Sequence, residues 1–354
     1  MLGEAAKTKE DAEYYFKKYM YAIKSIGNNI TENSVYDNHG VSIKLSALHP
    51  RYEISQIENV LHELLPKLLA LCQQAKEFNI HVCIDAEEAR RLEISLIIFD
   101  YLRMDKSLDG WEGLGLAVQA YQKRATFVID FLEDLSMRSR HKIMVRLVKG
   151  AYWDSEVKES QEMGIKYPVF TRKSYTDCSY ELCARKLLAK PNNFYPCFAT
   201  HNAYTLAMII EVADKNHPGF ELQRLQGMGD NLYKYVNQEV APGIRCRVYA
   251  PIGEYHDLLP YLIRRLLENG ANNSFINQLN NEKVKNEELV IDPLDRAQAL
   301  SYEPNIHIPV ASDIFGEERK NSLGFDITNP SVLKEISNGI EYYNISSWEV
   351  SPII

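Results

Sequence analysis

Short alternating runs recur along the chain, and each is followed by a stretch with a helical period. The alternating runs span 41–46, 81–86, 115–120, 143–148, 197–202, 220–225 and 246–250, and each reads as a strand. The helical stretches span 9–26, 57–78, 87–104, 175–188 and 203–213, with another through Phe127 and Phe131 and a short one near Asn231. Seven strands, each with a crossover helix, imply a parallel sheet. Their ends are polar: Lys44, Asp85, Gln119, Arg146, His201, Gln223 and Tyr249. Together with a fragment at 1–3, the seven strands suggest an α/β fold, a (βα)8 TIM-type barrel whose first strand is truncated. A doubly wound sheet is the alternative, but no G-x-G-x-x-G follows any strand. Beyond Phe275 the chain turns polar. A barrel over 1–279 and a linker or tail over 280–354, partly helical near 293–300, are therefore predicted.

The helix 261–270 differs from the others. Leu262, Ile263, Leu266 and Leu267 follow an apolar period and Gly270 stands at the stop. Tyr261, Arg264, Arg265 and Glu268 share the other side. Two adjacent guanidiniums repel, and a bound carboxylate or phosphate would offset that. A solvated face with weak Arg–Glu pairs is the plainer reading.

Composition narrows the function classes. The 354 residues are 45% hydrophobic and 25% charged, and the net charge is -8. A basic footprint for nucleic acid is missing. The six cysteines form no C-x-x-C pair and read as buried, reduced thiols. There is no signal-peptide pattern and no apolar run near 18 residues. A cytoplasmic protein is predicted, with any membrane contact peripheral.

Several positions carry candidate chemistry. Lys44 suits a Schiff-base nucleophile, a carboxylate clamp or a structural ion pair. Asp85 suits a base, a metal ligand or an anchor, while Glu87 and Glu88 read as first-turn helix acids. No metal site is predicted, because His201 stands alone among strand ends. Thr200-His201-Asn202 opens a helix and suits an N-cap that also meets a phosphate. Thr171-Arg172-Lys173 is a second phosphate clamp or a solvated loop. Gly150-Ala151 would admit a planar ligand close to the backbone, with Tyr152 and Trp153 as walls. On these residues alone, a lyase or aldolase barrel using Lys44 or Lys149 stays open, as does an inactive fragment.

The runs 41–52, 146–153, 198–202 and 261–270 resemble the proline dehydrogenase domain of the bacterial bifunctional proline utilization A enzymes. The resemblance covers Met1 to about Gln278, and the tail is similar to the link towards an aldehyde dehydrogenase domain. It implies a barrel that oxidises L-proline to 1-pyrroline-5-carboxylate by hydride transfer to FAD, with electrons passed to a membrane quinone. It implies a carboxylate clamp of Lys44, Arg264 and Arg265. Asp85, Tyr152, Leu225, Tyr249 and Tyr261 would line the substrate pocket. The flavin would be held by Gln119, Arg146, Val148, Gly150, Ala151, Trp153, Thr171, Arg172, Lys173, Thr200, His201, Asn202, Gln223, Arg265, Glu268 and Phe275. Glu4 would close a gate onto Arg264. Arg146 would stabilise the reduced flavin.

Overall fold

A computed structural model of the chain describes residues 5–213, 217, 219–253, 255–270, 285–345, 347–349 and 351. Seven parallel strands form one sheet in sequence order. They are β1 (Gly40–Ile43), β2 (His81–Ile84), β3 (Leu114–Gln119), β4 (Ile143–Val148), β5 (Phe194–Ala199), β6 (Glu221–Leu225) and β7 (Arg245–Tyr249). Between and around them run α1 (Lys9–Gly27), α2 (Ile57–Glu77), α3 (Leu92–Arg103), α4 (Ala125–Ser139), α5 (Trp153–Met163), α6 (Lys173–Leu188), α7 (Ala203–Val212), α8 (Asp230–Tyr235) and α9 (Tyr255–Gly270). The short α10 (Asn286–Leu289), α11 (Pro293–Ala299) and α12 (Pro330–Asn344) follow.

The two faces of the sheet differ in chemistry. Val41, Ile43, Val82, Ile84, Leu116, Val118, Val145, Leu147, Phe198 and Leu222 point one way and are buried with the helices. Val60, Leu64, Leu68 and Leu71 of α2 meet them at helical spacing. Each such side chain contributes about 1.5–3 kcal/mol on burial, so this face carries the fold. The alternate residues, among them Ser42, Cys83, Arg146, Cys197, Glu221, Gln223 and Arg247, lie on the other face. This face is the inside of a curl. Tyr249 at the end of β7 donates to Asp85 just past β2, at 2.8 Å. Arg247 of β7 donates to the carbonyls of Asn38 and Tyr36, just before β1, at 2.7 Å each. Side chains of the last strand therefore reach the first two across the concavity. Among the described residues no strand lies between β7 and β1, and the fragment predicted at 1–3 lies outside them. Ala6 donates its N–H to Ser46 C=O at 2.8 Å, which brings the chain entering α1 beside the end of β1.

Some boundaries differ from the sequence reading. β1 stops at Ile43, and Leu45–Ala47 forms a 3-10 turn in place of further strand. β5 begins three residues earlier than its pattern suggests. Pro196 breaks the run, yet β6 pairs with β5 only from Cys197 onward. Glu87 is no first-turn helix acid. It precedes a 3-10 turn at Ala89–Arg91 and is buried. The helices α5 and α12 lie outside the sequence reading; α5 is polar, whereas Leu333, Ile336, Ile340 and Tyr343 of α12 do stand at helical spacing.

On α9 the apolar period does not mark the buried side. Leu262, Ile263 and Leu266 are exposed, Leu266 by 72%. Tyr261 is the buried residue, at 5%, and Arg264 and Arg265 are half-buried. Arg265 on this side acts on His201, just past β5.

Candidate active site

The concave face converges on Arg146. The guanidinium lies on β4 and bonds to three other parts of the sheet. Nη1 donates to Asp85 Oδ1 at 2.7 Å, Nη2 to Ser42 Oγ at 2.8 Å and Nε to Gln223 Oε1 at 2.7 Å. It also lies 5.0 Å from the Tyr249 ring centroid, in cation–π range. Asp85 accepts at its other oxygen from Tyr249. Burial works against the Arg146 charge, but Cys83, Asp85 and Tyr249 hold its pKa above the ordinary arginine value. Burial, helped by Asp85, pushes the Tyr249 hydroxyl well above 10.0. The guanidinium is therefore a permanent positive charge in fixed orientation.

A second network braces the loops above the strands. Gln119, ending β3, donates to Glu87 C=O at 2.7 Å and accepts from Ala151 N–H at 3.2 Å. It therefore ties the loop after β2 to the loop after β4. Glu87 accepts from Ser46 N–H at 3.0 Å, Ser46 Oγ at 2.5 Å and Arg91 at 2.8 Å. Burial raises its pKa. Lys44 is buried, and its backbone N–H donates to the Tyr19 hydroxyl from α1 at 3.0 Å. The Lys44 charge acts on both Glu87 and Tyr152. Tyr152 has a raised pKa, chiefly from burial. Lys44, Asp85, Tyr152, Arg146 and Tyr249 thus ring one end of the sheet.

Gly150 adopts φ +148, and any Cβ there would strike the Tyr121 ring. Its small size therefore first serves that packing. Ala151 beside it is exposed and Val148 half-buried. Trp153 donates from its indole to Phe170 C=O at 2.8 Å, joining α5 to the loop before α6.

His201 accepts at Nε2 from Leu225 N–H at 3.1 Å. Burial, Arg265 and Arg224 lower its pKa to about 4. The ring is neutral, and Arg265 of α9 lies near it. Asn202 caps α7, accepting from Thr205 N–H at 3.0 Å, while the buried Thr200 passes its carbonyl to the Tyr233 hydroxyl at 2.6 Å. The Arg265 guanidinium also lies 5.3 Å from the Tyr261 ring centroid.

The Thr171-Arg172-Lys173 run sits elsewhere in character. Arg172 donates to the carbonyls of Glu303 and Pro304, at 2.8 and 2.9 Å. Thr171 Oγ1 accepts from Asn305 N–H at 3.2 Å. The tail therefore packs on the first two residues. Lys173 pairs with Asp177 at 3.2 Å, and Asp177 also holds Lys149 at 2.5 Å. Burial lowers the Lys149 pKa, and the Asp177 charge opposes the shift. Glu4 and Phe275 lie outside the described residues, as does the side chain of Glu268.

Residues that sequence reasoning missed include Ser42, Glu87, Tyr19 and Asp177. Ser42 alone had a signal, since it stands two before Lys44 on an alternating strand. The others depend on contacts between distant segments.

A family model for proline dehydrogenase matches residues 1–278. The chain belongs to the proline dehydrogenase family. It is 48% identical to the bifunctional protein PutA of Salmonella typhimurium, over all of this chain and 28% of that protein. It is 30% identical to proline dehydrogenase 1 of Bacillus subtilis, over 78% of each. A crystal structure of bifunctional proline utilization A superposes with a TM-score of 0.93 at 46% identity, covering all of this chain and 36% of that one. The chain thus spans a little over a quarter of the PutA protein it matches.

The donor set suits a flavin dinucleotide. Arg146 offers a fixed cation where an electron-rich ring would need one. Arg265, the neutral His201 and the α7 N-terminus cluster where an anionic pyrophosphate would be stabilised.

Proposed function

We propose that the chain oxidises L-proline to 1-pyrroline-5-carboxylate with FAD as the electron acceptor. The supporting observation is the Arg146 guanidinium, held in fixed orientation by Asp85, Ser42, Gln223 and Tyr249. When bound, FAD supplies the two-electron acceptor. In this reading Arg264, Arg265 and Lys44 bind the substrate carboxylate by charge-assisted bonds. Tyr152, Tyr249, Tyr261 and Leu225 wall the apolar ring and exclude water. Both oxygens of Asp85 are already engaged, with Arg146 and Tyr249. Asp85 therefore orients Arg146.

The flavin would lie along Gln119, Arg146, Val148, Gly150, Ala151, Trp153, Gln223 and Thr200-His201-Asn202, reaching Lys173 and Arg265. Thr171 and Arg172 would contribute through the loop they hold, and Glu268 and Phe275 complete the set. The eighth strand of a closed barrel would enter ahead of Ala6, with Glu4 meeting Arg264. The barrel would occupy 1–279, and the tail from 280 would lead towards a second catalytic domain. A membrane quinone would take the electrons onward at a peripheral contact.

One absorbance experiment tests the core of this reading. The purified chain should bind FAD and show flavin bands that bleach on adding L-proline without oxygen. A colourless chain that instead traps a carbonyl substrate on borohydride would favour a Lys44 or Lys149 lyase.

A further inference from the structure

Beneath Arg146 the concave face continues as a buried polar chain. Arg146 Nε donates to Gln223 Oε1. The same Gln223 donates from Nε2 to Glu221 Oε1 at 2.5 Å. Arg247 donates to both oxygens of Glu221, from Nε at 2.8 Å and from Nη2 at 2.9 Å. Arg247 is itself tied to the carbonyls of Asn38 and Tyr36. Glu221 has no exposed surface. Glu221 and Gln223 are two apart on β6, so they share a face.

We propose that Glu221 is a positioning residue for Arg146, acting through the amide of Gln223. A guanidinium only donates, so Nε needs an acceptor. An amide offers an oxygen at one end and an NH2 at the other, and nothing in its shape decides which end faces Arg146. Glu221 decides it. Its carboxylate only accepts, so it takes the NH2 of Gln223 and leaves the oxygen for Arg146. The Arg247 clamp keeps the carboxylate from turning away. The polarity of the whole file is therefore set at its foot, about two residues of strand below the site. The plainer alternative makes Glu221 only a buried counterion for Arg247.

The two roles separate under substitution. Glu221 Oε1 accepts from both Gln223 Nε2 and Arg247 Nε. Glu221→Met removes that acceptor, so nothing holds the NH2 of Gln223 away from Arg146, and the amide can turn its NH2 towards the Arg146 N–H. Arg247→Lys weakens the same ion pair and loses the carbonyl tethers, but leaves the polarity of Gln223 intact. The proposal rests on the flavin reading above, so the assay is FAD binding to apoprotein, read by quenching of tryptophan fluorescence and by the flavin spectrum. Apoprotein melting is followed in parallel. Glu221→Met should weaken FAD binding by about fivefold, the worth of one hydrogen bond. Arg247→Lys should lower the melting temperature and leave the FAD Kd within about twofold. The double variant Glu221→Met/Gln223→Glu restores an acceptor to Arg146, because a carboxylate has no donor to turn towards it. It should bind FAD more tightly than Glu221→Met. If Glu221→Met does not fold, the double is compared with Gln223→Glu alone, which sets two carboxylates side by side, and again the double should bind more tightly. Equal FAD affinities for Glu221→Met and Arg247→Lys, or no gain in the double, would overturn the proposal while leaving the flavin reading intact. A wild-type chain that binds no FAD would overturn both.

Discussion

Asp85 and Arg146 meet at 2.7 Å with β3 lying between their strands in the sheet. Both side chains are nearly buried, at 12% and 10% exposure. Such a bond spans the inside of the curl and holds its wall together. Removing one partner leaves the other charge buried without compensation. Asp85→Ala should therefore destabilise the chain by about 3–5 kcal/mol, measured by urea denaturation of the apoprotein. Asp85→Leu/Arg146→Met should cost less than the sum of its two single changes, because neither charge is stranded.

His201 makes the stability respond to acid. Its folded-state pKa is near 4 against an ordinary 6.5, so between those values the unfolded chain takes up a proton that the folded chain refuses. Stability should fall as pH drops through that window and level off below it. Burial holds His81 below its usual value as well and acts with the same sign. The diagnostic is therefore the difference between wild type and His201→Gln. The variant should lose stability less steeply, by up to about 1.4 kcal/mol per pH unit, in urea titrations from pH 7 to 4. Parallel curves would show that His201 does not titrate in this way.

Arg264 is proposed to hold the substrate carboxylate. Arg264→Met should cost about 1.5–3 kcal/mol of binding, seen chiefly as a raised KM for proline. Glu4→Ala should act in the same direction but more weakly, and the pair should be non-additive in kcat/KM if Glu4 closes onto Arg264. Strict additivity would remove the gate and leave the carboxylate role of Arg264 standing.

Tyr261 is proposed to press on the proline ring. Tyr261→Ser should raise the KM for proline and narrow its preference over hydroxyproline, since a steric wall is removed. An unchanged ratio of the two kcat/KM values would place Tyr261 away from the ring.

The tail is held to the α5–α6 region by specific bonds. Gly324 donates its N–H to Gly164 C=O at 3.0 Å, and a Cβ at Gly324 would collide with the Met163 carbonyl. Gly324→Ala should therefore lift this part of the tail, and Arg172→Met should release the stretch at Glu303. Both should speed limited proteolysis between 300 and 327 while changing the global melting temperature little. Equal cleavage rates in wild type and variants would show that these contacts do not hold the tail.

Local pattern was enough to specify the strands of the sheet. Alternation at 41–43, 81–84 and 143–148 reflects a local rule, because successive side chains must face opposite sides of a strand. Polar residues at the strand ends and paired arginines on one helix face were legible in the same way, since both follow from periodicity. Packing between distant segments decided which side of α9 turned inward. Leu262 and Leu266 satisfy the helical period as well as Tyr261 and Arg265 do, so the period alone could not choose between two faces. It also decided that Glu87 is buried and that Arg172 gives its donors to the tail. Each of these depends on a partner far along the chain, 41 residues away for Glu87 and 132 for Arg172. Hydrogen-bond direction is settled only when both partners are in place, and a linear pattern of polar and apolar residues carries no record of it.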